Sequence, residues 1–80
     1  MKVKDVEIID MIGTIATRTG YDGREQSLDL NLIRHRGQPF YDLRWWCEGE
    51  PLHGVSLTER TLAELGELID VAFERKKNEK

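Results

Sequence analysis

Arg44 and Trp46 stand two residues apart in Tyr41-Asp42-Leu43-Arg44-Trp45-Trp46, with Phe40 just before this segment and His35 across a glycine-containing turn. Residues two apart on an extended chain share a face, so Phe40, Asp42, Arg44 and Trp46 line up on one side. Aromatic rings stack on nucleobases at ~1–3 kcal/mol per base without reading sequence, and a guanidinium neutralises phosphate or stacks itself. Arg34-His35-Arg36 adds a basic edge, so residues 34–44 carry three arginines against one aspartate in a chain of net charge −3. The chemistry this suggests is binding of single-stranded nucleic acid. Arginine and aromatic side chains also anchor protein interfaces, and a protein-interaction surface is the second reading. Asp42 beside Arg44 reads as an ion pair on the strand face that orients the guanidinium.

Other chemistries find little support. His35 and His53 have no acidic or thiol partner at ligand spacing, so no metal site is expected. Cys47 is the single cysteine; it cannot form an internal disulfide, fits a reducing compartment and reads as a small inward-facing hydrophobe. There is no glycine-rich phosphate loop, no pair of carboxylates in an evident cleft and no Ser/His/Asp set, so neither an enzyme nor a cofactor is expected. Twelve basic against fifteen acidic residues exclude a polybasic, histone-like protein, leaving nucleic-acid binding to a local patch. No apolar run approaches the ~20 residues of a membrane span, and Met1-Lys2-Val3-Lys4-Asp5 lacks a signal-peptide core. A cytoplasmic protein without membrane contact is the expectation.

The elements that position these residues follow from pattern. Eighty residues, 39% of them hydrophobic, allow one domain over 1–80 with one modest core. Val6 to Thr17 is rich in β-branched residues, Gly13 marks a bulge in it, and Thr19-Gly20-Tyr21-Asp22-Gly23 reads as a turn. Leu28, Leu30 and Leu32 alternate with Asp29, Asn31 and Ile33; Tyr41, Leu43, Trp45 and Cys47 alternate with Phe40, Asp42, Arg44 and Trp46. A hairpin about Gly37-Gln38 pairs Leu32 with Leu43, Leu30 with Trp45 and Leu28 with Cys47. One face is then apolar, and the other carries the rings and Arg44. Leu52 to Leu57 forms a fourth short strand after Gly49-Glu50-Pro51. Thr58 caps a helix in which Leu62, Leu65, Leu68, Ile69, Ala72 and Phe73 span an arc of ~140°, wider than the ~100° one sheet contact needs. The excess points to a second subunit. The expected fold is α+β: a four-stranded antiparallel sheet followed by one C-terminal helix, β-β-β-β-α, dimeric, with the apolar face under the helix and a charged tail at 75–80 that frays.

Leu30-Asn31-Leu32-Ile33, then Gly37, Pro39, Tyr41-Asp42-Leu43-Arg44 and Trp46, then His53-Gly54-Val55-Ser56-Leu57-Thr58 and a terminal helix resemble the family of the transcriptional positive cofactor four. The likeness is nearer to its bacterial single-domain, YdbC-like branch and extends from about Glu7 to Phe73. It implies a homodimer that binds single-stranded DNA, or RNA, with little sequence preference, in transcription, replication or repair. Arg44 matches the family's strand arginine, Trp46 the aromatic that follows it in the bacterial branch, and His53 the basic residue before Gly-Ile-Ser-Leu. With Phe40, His35, Arg34 and Arg36 along the hairpin and Arg18 and Arg24 from the first loop, these are the expected nucleic-acid contacts. The sequence departs from the pattern where His53 replaces a lysine, His35 an aromatic and Leu28 a lysine. The loop from Cys47 to Leu52 is also shorter. The lysine replacements remove positive charge, and His53 adds charge only when protonated. The alternative on the same scaffold is a protein-interaction module with weakened nucleic-acid binding.

Overall fold

The computed structural model describes residues 2–3 and 6–78. Five antiparallel strands form one sheet in the order β1-β2-β3-β4-β5, and a helix follows. Four strands are long: β2 (Val6–Thr19), β3 (Glu25–His35), β4 (Gln38–Cys47) and β5 (Glu50–Leu57). The two-residue β1 (Lys2–Val3) pairs with the start of β2. Four antiparallel strands and a C-terminal helix, α1 (Glu59–Asn78), therefore stand in the expected order. No helix among the described residues is long and apolar enough to cross a membrane.

The register of the central hairpin differs from the expected one by two residues. Leu32 pairs with Tyr41, Leu30 with Leu43 and Leu28 with Trp45, and the turn is Arg36-Gly37, closed by His35 and Gln38. Pro39 explains the difference. A two-residue hairpin is closed by an N–H on the residue after the turn; Gln38 has one and Pro39 does not. A shift of two leaves every side chain on its expected face, whereas a shift of one would exchange the faces. Both turn residues have positive φ, 52° at Arg36 and 81° at Gly37, as a type I′ turn requires. Glu48 and Gly49 repeat the arrangement between β4 and β5, with φ of 50° and 82°.

A left-handed conformation is costly for a side chain such as glutamate and far less so for asparagine. Glu48→Asn is therefore expected to stabilise the protein by about 0.5–1 kcal/mol, read as a higher urea midpoint with unchanged slope. The one contact it removes, Arg24 Nη1 to Glu48 Oε1 at 3.4 Å, joins two exposed groups and is worth little. A lower midpoint would show that the ion pair outweighs the turn.

Strand β2 slips against β3 at three places: between Ile8 and Asp10, between Met11 and Gly13, and between Thr14 and Ala16. The middle slip falls at the bulge expected near Gly13. Each adds one residue to β2 and coils the strand. The extra residues are Ile9, Ile12 and Ile15, all exposed. They leave a greasy ridge along the edge of the sheet.

The helix does not cover the sheet's apolar face, contrary to the sequence reading. It touches only β4 and β5, and Leu62 is its one half-buried side chain; the others described are exposed. A single residue, Thr58, separates the last strand residue from the first helical one, so there is no loop to turn the helix back. Thr58 caps it as expected, with Oγ1 accepting from the Thr61 amide at 3.1 Å. The tail expected to fray from Arg75 is helical through Asn78, since lysine and arginine are good helix formers and complement the C-terminal dipole.

The result is a flat molecule of 46 × 36 × 16 Å with a radius of gyration of 15.0 Å, against the ~12 Å of a compact chain of this length. Among the described residues only Ile33 and Cys47 are buried apolar side chains. The accessible surface is 6451 Å², roughly 1,500 Å² above the ~5,000 Å² of a compact monomer of this mass. One chain by itself supplies a sheet without a second layer.

Candidate nucleic-acid interface

The odd-numbered residues of β3 and the even-numbered residues of β4 form one face of the sheet, extended on β5 by Gly54 and Ser56 opposite Arg44 and Asp42. Val6 and Ile8 of β2 continue it beyond His35 and Ile33. A hollow of about 270 Å³ lies in this face, walled by Val6, Ile8, Ile33 and Pro51 and by the polar side chains of His35, Asp42, Arg44 and Ser56, with Trp46 at one side.

Asp42 organises the polar half. Its side chain is only 4% exposed, while that of Arg44 is 26% exposed. Asp42 Oδ2 accepts from Arg44 Nε at 3.0 Å and Oδ1 from Arg44 Nη2 at 2.9 Å, a two-pronged pair. Ser56 Oγ donates to Oδ1 at 2.8 Å, and Arg44 Nη1 donates to the Leu52 carbonyl at 2.8 Å. The hydrogen bond to Asp42 is the main cause that raises the Arg44 pKa above its ordinary value, against partial desolvation. Of the guanidinium's five N–H groups, these bonds engage three. Two remain, one on each terminal nitrogen.

The Leu52 carbonyl reaches Arg44 because β5 slips against β4 between Arg44 and Trp46, with Leu52 and His53 at the irregularity. Gly54 makes the approach possible: a Cβ there would lie 2.4 Å from the Leu43 carbonyl oxygen and 2.6 Å from the Arg44 Cα. The irregularity puts His53, beside Gly54, in an exposed position. Trp46 is half-buried. Its indole Nε1 is shielded from solvent and has no acceptor among the described residues, which costs on the order of 1–3 kcal/mol while unrelieved.

At the turn end of the face, the rings of His35 and Phe40 lie 6.5 Å apart at 55°, with His35 exposed and Phe40 half-buried. Arg36 is exposed in the adjoining turn. Arg44, Trp46, His35 and Phe40 thus share one face. Three other expected contacts, Arg34, Arg18 and Arg24, stand apart from it. Arg34 points to the opposite face, near Glu7 at 3.6 Å. Arg18 stacks on Trp45, also on that opposite face, at 3.8 Å from the ring centroid and donates to Gln26 at 2.7 Å. Arg24 lies in the β2–β3 loop, paired with Asp22 at 2.7 Å; the Arg24 backbone N–H and then its side chain hold the Asp22 pKa below the usual carboxylate range.

Val6, Ile8, Pro51 and Ser56 were not anticipated as lining residues, although Val6 and Ile8 flank Glu7 at strand spacing. Tyr21, fully exposed at the tip of the same loop, carries no signal in the sequence beyond that of a turn. Among the described residues no group of three potential ligands is placed to hold a metal ion. Compared with family profiles, curated proteins and solved structures, the chain has no significant match in any of the three.

Proposed function

We propose that this chain is a homodimeric module that binds single-stranded DNA or RNA along the sheet face of Arg44 and Trp46, with little sequence preference. The observation that carries the reading is the uncovered face itself. A half-exposed indole, an immobilised guanidinium with two N–H groups to spare and an apolar hollow stand side by side, and among the described residues no element lies over them. Stacking on an indole needs only a flat base. The likeness of the strand motifs to the positive cofactor four family supports the same ligand. The ~1,500 Å² of surplus surface supports the dimer, since stable partners bury ~800 Å² each and obligate ones more.

Trp46→Ala is expected to weaken binding of a thymidine oligomer by about tenfold, within the ~1–3 kcal/mol of one stacked base, and to leave the salt dependence unchanged. An unaltered affinity would remove Trp46 from the site.

A second reading, a protein-interaction module on the same scaffold, is favoured by the charge pairing. Arg24, Arg34 and Arg44 each face a carboxylate, which leaves less positive charge for phosphate than their number suggests. Salt-insensitive binding to a protein, with none to oligonucleotide, would select that reading.

A further inference from the structure

We propose that Asp42 sets the ligand preference of this face, by cancelling the charge of Arg44 so that bases are recognised by stacking in preference to phosphates by charge. The inference rests on the nucleic-acid reading above. Asp42 is buried to 3% exposure, is held by the Ser56 hydroxyl at 2.8 Å and grips Arg44 through both oxygens. The carboxylate is thus fixed within 3.0 Å of the guanidinium, and the pair presents a short dipole with no net charge. Its guanidinium plane is also fixed at a third point by the Leu52 carbonyl.

A free arginine on a flexible stem follows a phosphate and releases its counterion. This one is a rigid, neutralised plate with two N–H donors at its rim, set beside an indole and an apolar hollow. Such a surface takes unstacked bases and their edge carbonyls. The ligand class it fits is a single strand with exposed bases, not a duplex whose outward surface is phosphate. Asp42 acts through Arg44 and is a positioning residue.

The test is fluorescence anisotropy of a labelled thymidine oligomer over roughly a tenfold range of salt, on the full chain and its variants. One neutralised phosphate on a single strand changes the log–log slope by about 0.7. Asp42→Asn, which keeps the shape and removes the charge, is expected to steepen the slope by about that amount per site. Its affinity relative to the parent protein should then rise roughly fivefold from the high-salt to the low-salt end. Asp42→Ser, smaller and still able to accept one hydrogen bond, makes the same charge change should the amide disturb folding. A purely structural role for Asp42 would weaken binding at every salt concentration without steepening the slope, and that result overturns the inference. If the parent protein binds and Trp46→Ala weakens it while both Asp42 variants keep the parental slope, this inference alone falls. If neither the parent nor any variant binds, the nucleic-acid reading falls with it.

Discussion

Leu65→Glu combined with Ile69→Glu is expected to abolish cooperative folding, although both side chains are exposed on the single chain. The two residues lie one helical turn apart at the centre of the apolar arc of α1, flanked by Leu62, Leu68 and Phe73. Leu68 and Phe73 are 64% and 65% exposed. In a true monomer such substitutions would be neutral or would improve solubility, because they put charge where water already is. In a dimer they place four carboxylates in the shared layer and forfeit about 1.5–3 kcal/mol for each buried side chain. With two buried apolar residues among those described, the chain has no reserve against that loss, so separation of the subunits and unfolding become one event. Circular dichroism and light scattering check this together. In the parent protein the thermal midpoint should rise with protein concentration, as mass action requires. A doubly substituted chain that is monomeric and as stable as the parent would show that the sheet folds without a partner.

Gly54→Ala is expected to cost about 3 kcal/mol and to disconnect Arg44 from β5. The backbone angle at Gly54 is one that any residue can adopt; the obstacle is space. The added methyl group would meet backbone, the Leu43 carbonyl oxygen at 2.4 Å and the Arg44 Cα at 2.6 Å, neither of which can swing aside as a side-chain tip would. Overpacking of this kind costs ~1–3 kcal/mol, and more when backbone must move. The strand most free to move is β5, the edge strand, which among the described residues pairs with β4 alone. Its displacement would carry off the Leu52 carbonyl that accepts from Arg44 and the Ser56 hydroxyl that donates to Asp42. Denaturant unfolding measures the stability, and the Arg44 Nε–H resonance, sharp when hydrogen-bonded, reports the local change. Full stability with an unchanged resonance would mean that the strands do not approach so closely.

Much of the fold could be read from the residues because alternation is a parity signal. The alternation places Leu28, Leu30 and Leu32 and their partners in β4 on the face they share even though the pairing is displaced by two, since such a displacement preserves parity. The displacement itself was readable: Pro39 has no N–H with which to close the turn, and that argues for Arg36-Gly37. The placement of α1 was not readable. An apolar helical arc says how much surface seeks cover and nothing about which surface provides it. The same limit applies to β2, where three slips break the alternation and decide where Arg18 lies against Trp45. At the site, Phe40, Arg44 and Trp46 share a face for the simple reason that they are two, four or six residues apart. The closing contact, Leu52 carbonyl to Arg44, depends on a bulge whose position Gly54 signals and whose consequence needs three dimensions.

The most direct test of nucleic-acid binding is the anisotropy of a labelled thymidine oligomer titrated with the protein at low salt, with the oligomeric state measured on the same sample. Saturable binding by a dimer, weakened about tenfold by Trp46→Ala, is the expected result. A well-folded dimer that leaves the oligomer unbound at the lowest salt would contradict it and turn the search to a protein partner for the same face.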